Sequence, residues 1–214
     1  MKLKLKPIVV TSGGIYPYSE KLLEYGVRTS RFGDDYQIFG IVGTGKNQRI
    51  IVPRNLVPED SEFQYENGFD VEFTSCFVPR DSKQEFVVKE SVQLLAKGES
   101  FIIEAGTGFG KTYMAMDIIA QVGKKTLVVV TKEDIRDQWV AAAKAVLGLN
   151  DSEIGFIQGD VCGVAGKKLV ISLIQSLYKE GRYSPNVFKE FGLVIFDESG
   201  SPDTLVTTSV GQIS

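Results

Sequence analysis

The residues best suited to chemistry fall in two short stretches. The first, Ala105-Gly106-Thr107-Gly108-Phe109-Gly110-Lys111-Thr112, sets three glycines before a lysine and a threonine. Glycine-rich backbone can turn its N–H groups around a phosphate with no Cβ in the way, and a helix starting directly afterwards adds its positive end. In such a loop Gly106, Thr107, Gly108, Phe109 and Gly110 form the cradle. Lys111 would reach the β and γ phosphates of ATP, and the Thr112 hydroxyl would hold Mg²⁺. The strict pattern asks for glycine where this chain has Ala105. The second stretch, Leu193-Val194-Ile195-Phe196-Asp197-Glu198, is an apolar run ending in two carboxylates. At the end of a buried strand, Asp197 would complete the Mg²⁺ shell and Glu198 would take a proton from an attacking water.

Both stretches need a scaffold that brings strand ends together. From Phe77 onward, helical patterns alternate with apolar runs, the signature of an α/β fold with a parallel sheet. Ser82 followed by Glu85 is a capping-box pattern that predicts a helix over 82–96, with Phe86, Val87, Leu94 and Leu95 available for its buried face. Strands are predicted over 100–104, 126–131, 168–172 and 193–197, with a further one near 155–158. A helix is predicted over 111–122, and Thr131 with Asp134 reads as the cap of another running to about Leu147.

Residues 1–76 read as a small β-rich N-terminal module. Met1-Lys2-Leu3-Lys4-Leu5-Lys6 alternates like a strand, Ile8-Val9-Val10 ends at Gly13-Gly14, and a short helix is predicted over 19–25. Runs at 36–42 and 49–52 flank Gly43-Thr44-Gly45-Lys46-Asn47, which reads as a hairpin turn. No helix pattern follows that Gly-Lys pair, so it is not taken as a second phosphate loop. Asn67-Gly68 marks a reversal before Phe69-Asp70-Val71-Glu72-Phe73, which alternates apolar and acidic residues as a strand would.

Composition narrows the chemistry further. The 214 residues are 43% hydrophobic and 24% charged, ordinary for a globular protein. There is no histidine, which excludes Ser-His-Asp and Cys-His triads and His-ligated zinc within this chain. Cys76 and Cys162 have no C-x-x-C spacing and suit two small buried thiols in a reducing cytoplasm. The net charge of −3 gives no global attraction to nucleic acid, so contact with DNA must be local. No apolar run approaches the roughly 20 residues of a membrane span, so no membrane partner is expected and the protein reads as cytoplasmic.

With these elements in place, residues 77–198 resemble the first RecA-like domain of superfamily 2 (DEAD/DEAH-like) helicases and translocases, in particular bacteriophage members. Pro79-Arg80-Asp81-Ser82-Lys83-Gln84-Glu85 resembles the segment that reads adenine, implying that Gln84, with Arg80 nearby, selects ATP. Val130-Thr131-Lys132-Glu133-Asp134-Ile135-Arg136-Asp137-Gln138-Trp139 resembles motif Ia, and Ile171-Ser172-Leu173-Ile174-Gln175-Ser176-Leu177 resembles motif Ib. The resemblance implies a strand-tracking surface of Thr131, Lys132, Ser172, Gln175 and Ser176. Their hydroxyl, amide and backbone donors suit phosphate oxygens and carry no sequence readout. For Thr131 and Gln175, helix capping and plain solvent exposure stand as equal alternatives, and Trp139, Ile135 and Leu177 read as core.

After Glu198 the chain leaves that pattern. The helicase continuation and the second RecA-like domain, which carries the arginine finger, are missing, so this chain alone is not expected to be an efficient ATPase. Residues 199–214, Ser199-Gly200-Ser201-Pro202-Asp203-Thr204-Leu205-Val206-Thr207-Thr208-Ser209-Val210-Gly211-Gln212-Ile213-Ser214, resemble the first block of an intein. The resemblance implies that Ser199 is a splicing nucleophile whose N-to-O acyl shift converts the Glu198–Ser199 peptide bond to an ester. The partner would be a separate C-terminal fragment carrying the rest of the intein and of the helicase. A reading frame broken within motif II and a Gly-Ser linker stand as alternatives. The expected whole is the N-terminal portion of an ATP-dependent DNA helicase, with an incomplete RecA-like domain behind a small β-rich module; a nucleotide- and DNA-binding fragment whose phosphate loop is idle, and a restriction or remodelling translocase sharing these motifs, stand as alternatives.

Overall fold

A computed structural model of the chain describes residues 9–10, 14–25, 27–29, 33, 35–37, 39–52, 62–63, 68–177, 181–198 and 204–209. They fall into two compact units, divided between Glu66 and Asn67.

The first unit carries β1 (Val9–Val10), β2 (Gly14–Pro17), α1 (Glu20–Tyr25), β3 (Val27–Thr29), β4 (Asp35–Gln37), β5 (Gly40–Val42), β6 (Arg49–Val52) and β7 (Glu62–Phe63). Strands β2, β6 and β5 form an antiparallel sheet in that order, while β3 pairs with β4 and β1 with β7. The predicted hairpin is present. Gly43 turns the chain with φ +78°, and a Cβ there would lie 2.6 Å from the Asn47 carbonyl oxygen, so the turn needs glycine. The predicted strand at 1–6 lies outside the described residues.

The second unit is an α/β domain built on one mixed sheet. It comprises α2 (Ser82–Ala96), β8 (Phe101–Glu104), α3 (Lys111–Val122), β9 (Thr126–Val130), α4 (Glu133–Leu147), β10 (Ile154–Gln158), β11 (Val161–Cys162), β12 (Leu169–Leu173), α5 (Ile174–Leu177), α6 (Pro185–Phe188), β13 (Leu193–Glu198) and β14 (Thr204–Ser209). One sheet runs β11-β10-β12-β9-β13-β14-β8. Strands β10, β12, β9 and β13 are mutually parallel, and β11 is antiparallel at the edge. Strand β14 is antiparallel to both β13 and β8. Thus β8 points the same way as the parallel set but joins it only through β14.

The parallel strands are buried on both faces: Val128 and Val130 join one core with α2, α3 and α4, and the alternate positions Leu127 and Val129 are buried as well. Leu127, Val128, Val129 and Val130 are all buried, as are Leu193 and Ile195 of β13 and Met114, Met116, Ile118 and Ile119 of α3. Each such side chain contributes about 1.5–3 kcal/mol relative to exposure.

The structure departs from the sequence expectations at several points. Residues 69–73 form no strand; they make a single bridge, Asp70 opposite Lys124. Backbone bonds from Val71 N to Gly123 O at 2.9 Å and Cys76 N to Val146 O at 2.9 Å bind the segment to the α/β unit. Helix α2 is capped one residue earlier than predicted: the Asp81 carboxylate accepts from Lys83 N and Gln84 N, a shorter reach than Ser82 offers. Its buried face holds Gln84, Val88 and Ser91, while Phe86 is exposed. At α4 the cap position falls on Lys132, with no side-chain bond, and Glu133 and Asp134 instead complement the positive helix end. Both cysteines, expected to be buried, are exposed. The last departure is β14, where the tail has been drawn into the sheet.

Candidate functional site

The C-terminal ends of β8, β9, β12 and β13 form one edge of the sheet, the usual place for ligands in α/β folds. Beyond β8 the chain enters the glycine-rich loop, where Gly108 and Gly110 take left-handed backbone with φ +77° and +89°. Gly110 occupies the N-cap of α3, and a Cβ on it would lie 2.9 Å from Gln84 Nε2. Both its φ and its neighbour therefore require glycine.

The loop carbonyls are taken up by protein donors. Lys111 Nζ donates to Ala105 O at 2.6 Å and to Gly106 O at 3.5 Å. The Arg80 guanidinium donates to Gly108 O at 3.1 Å and Phe109 O at 2.8 Å, and Gln84 Nε2 to Phe109 O at 2.6 Å. Exposed carbonyl oxygens repel an anion; with Gly108 O and Phe109 O held by Arg80 and Gln84, the loop leaves a concavity fit for a phosphate at the start of α3.

Gln84 is fixed at both ends of its amide. Its Oε1 accepts from Arg80 N at 2.8 Å, and only 1% of the residue is exposed. Arg80 and Gln84 thus grip the loop itself as well as lining the cavity beside it. That cavity, about 680 Å³, is bounded also by Phe77, Tyr113, Lys111 and Thr112, and Cys76, whose thiol donates to Ala145 O at 3.2 Å, stands at its far side.

Asp197 lies opposite Val130 in the β13–β9 register, so the carboxylate emerges beside the point where Thr131 leaves the sheet. Its Oδ2 accepts from the indole N–H of Trp139 at 2.7 Å. Trp139 is fully buried and was read from sequence as core alone; its polar edge was missed. The available signal was general: a buried indole N–H needs an acceptor. Glu198 ends β13, and its side chain is not among those described; Ser199 lies outside the described residues.

The residues expected to meet a nucleic-acid strand separate into two groups. Lys132 and Gln175 are exposed and Thr131 is half-buried, and Gln175 Nε2 donates to Thr131 O at 2.9 Å, joining the two loops. Ser172 and Ser176 lie deeper. Ser172 is fully buried with its hydroxyl on Ile157 O at 3.1 Å, and Ser176, 5% exposed, accepts from Gly159 N at 3.1 Å. Ser172 thus ties β12 to β10, and Ser176 ties α5 to the turn that follows β10. Among the described residues no group of three or more acidic or cysteine side chains is placed to hold a metal ion.

Comparison with known proteins agrees with this architecture. The profile of the family described as type III restriction enzyme, res subunit, matches residues 77–199, and the chain belongs to that family. It is 31% identical over 129 residues to a candidate ATP-dependent RNA helicase, L396, of Acanthamoeba polyphaga mimivirus, covering 60% of this chain and 24% of the relative. It is 34% identical over 119 residues to the probable helicase D10 of Escherichia phage T5, covering 54% and 25% respectively. A third relative, the candidate ATP-dependent RNA helicase QP509L of African swine fever virus (isolate Pig/Kenya/KEN-50/1950), is 30% identical over 122 residues. The chain spans about a quarter of the length of these curated relatives.

Proposed function

We propose that residues 77–198 are the ATP-binding first domain of a superfamily 2 motor acting on DNA, of bacteriophage type and working in the host cytoplasm. The observation that carries this reading is the loop at 105–110, whose carbonyls are held by Arg80, Gln84 and Lys111 so that a phosphate can enter. On binding, Lys111 exchanges those carbonyls for the β and γ phosphates. Mg²⁺ fits the residues present: one carboxylate, Asp197, and the Thr112 hydroxyl suit an ion that keeps waters and substrate phosphates in its shell. When bound, that ion neutralises charge on the phosphates. Glu198 is assigned as the base, and Thr131, Lys132 and Gln175 as the strand contacts. No helix among the described residues is long and apolar enough to cross a membrane.

The test is equilibrium binding of a fluorescent ATP analogue, with Lys111→Ala as the control. Micromolar binding that falls at least about tenfold in the variant supports the reading. Equal binding by both proteins sinks it.

A second reading concerns the tail, on the strength of Ser199 and the Asp203-Thr204-Leu205-Val206-Thr207 run. Here Ser199 begins the N-terminal piece of a split intein, and a C-terminal fragment joins its helicase sequence to Glu198. Excision would remove β14, the strand through which β8 joins the sheet, so the incoming sequence would have to supply a strand in its place. Intact mass after mixing with the product of a downstream reading frame decides: a ligated chain lacking everything from Ser199, and absent with Ser199→Ala, supports splicing. No ligation by two folded pieces leaves a non-splicing nucleotide- and DNA-binding domain.

A further inference from the structure

Helix α4 begins at the strand-contact edge with Glu133 and, two turns later, presents Trp139 to the end of β13. The indole N–H is a donor only, it is fully buried, and it has spent its one bond on Oδ2 of Asp197 at 2.7 Å. A carboxylate on a short side chain can rotate about its terminal torsion and offer either oxygen. A rigid, packed donor on one oxygen removes that choice. The helix that carries the donor is itself pinned: Arg136 donates to Gln158 Oε1 at 2.6 Å, and Gln158 Nε2 donates to Glu133 Oε1 at 2.6 Å. The indole is therefore held by core packing on one side and by this polar bracket to β10 on the other.

We infer that Trp139 is a positioning residue for Asp197: its indole N–H fixes the carboxylate so that the remaining oxygen, Oδ1, is the one available to a divalent cation arriving with the nucleotide. This rests on the reading of Asp197 as the metal-holding carboxylate. Groups that orient a ligating carboxylate are worth roughly 10–100-fold in metal affinity when removed. Trp139 acts through Asp197 and has no bond to the loop among those described, so its effect falls on the metal-dependent part of nucleotide binding and not on the phosphate cradle.

The chain has a single tryptophan, which makes the test specific. In the full chain, Trp139 is replaced by β-(3-benzothienyl)alanine, an isostere of tryptophan that lacks the N–H, through a tryptophan auxotroph; Trp139→Phe serves as the genetic variant. Affinity for a fluorescent ATP analogue is measured in MgCl₂ and in EDTA. In parallel, the one indole ¹H–¹⁵N resonance of the natural protein is followed as MgCl₂ is added with the nucleotide.

The expected result is that the isostere stays folded and keeps the EDTA affinity of the parent but loses about tenfold of the gain in affinity that Mg²⁺ gives, and that the indole resonance moves only when Mg²⁺ and nucleotide are both present. An isostere with the full Mg²⁺ gain overturns the inference and leaves the bond as packing. A parent protein that binds the analogue equally in MgCl₂ and EDTA also overturns it, and places the fault in the metal reading of Asp197. A parent that binds no analogue at all overturns the inference together with the nucleotide reading of the loop.

Discussion

Trp139 and Asp197, 58 positions apart, are joined by a hydrogen bond of 2.7 Å between an indole N–H and a carboxylate oxygen. One end is fully buried in the core and the other stands at the sheet edge. The bond therefore ties the packing of α4 to the chemistry at the end of β13, and it makes Asp197 a structural residue as well as a candidate ligand.

Asp197→Ala leaves a buried N–H with no acceptor, which costs about 1–3 kcal/mol of stability. Asp197→Asn retains an oxygen at that place and loses less. Urea unfolding of the two variants and the parent measures the difference, and an alanine variant as stable as the parent would contradict the bond.

Gln84 bridges Arg80 N and Phe109 O. Gln84→Met keeps the volume and removes both bonds; Phe109 O retains Arg80 while Arg80 N is left without its acceptor, so stability falls by about 1–3 kcal/mol and affinity for a fluorescent ATP analogue falls with it. A variant that loses stability without any change in affinity would show that the grip on the loop has no part in nucleotide binding.

Two glycines of the loop divide stability from binding. Gly110→Ala must adopt φ +89° and place a Cβ 2.9 Å from Gln84 Nε2, a strain on the order of 1–3 kcal/mol. At Gly106 the backbone is ordinary and an added Cβ meets nothing within 4 Å. Gly106→Ala is expected to melt with the parent, and a fall in its nucleotide affinity would place the phosphate path over the open space its methyl group enters. Thermal melts beside binding titrations test this, and unchanged binding by Gly106→Ala would move the phosphate path elsewhere.

Acid stability has a local contribution from Glu153. The backbone N–H of Asn150 and then the Lys168 ammonium hold its carboxyl below the ordinary carboxylate value. A carboxyl lowered in the folded state contributes stability that is fully present above its unfolded pKa and is lost as pH falls through its folded one. Stability should thus decline on acidification below the ordinary carboxylate range, and Glu153→Gln should show a shallower decline. Identical acid profiles of the two proteins would refute the assignment.

Much of this was legible in the sequence where local rules act alone. Helices 82–96 and 111–122 fall where the patterns place them, since Asp81 and Gly110 sit at their starts and the breaker Gly123 at the end of the second. The strands of the parallel set were visible as apolar runs. What escaped depends on partners distant in sequence. The pairing of 69–73 reduces to one bridge because Lys124 and Lys125 offer that segment only their own short edge. Ser172 and Ser176 match a strand-contact motif, yet their burial is decided by β10, which no local pattern reveals. Phe86 had the type of a core residue, but the register of α2 on the sheet turned Gln84 and Val88 inward instead. The Trp139–Asp197 bond needs the full tertiary path.

Strand β8, which leads into the phosphate loop, finds its sheet partner in β14, where Glu104 lies opposite Thr204 and Phe101 opposite Thr207. A pairing between positions a hundred residues apart cannot form until the later segment has been synthesised. On the ribosome, β9, β10, β12 and β13 can pair as soon as each emerges, while β8, its Ile103 packed against neighbouring helices, waits for β14 with its backbone edge unpaired. The element that shapes the nucleotide site is therefore the last to be fastened during folding, and the first whose loss of register an assisting chaperone would have to guard against.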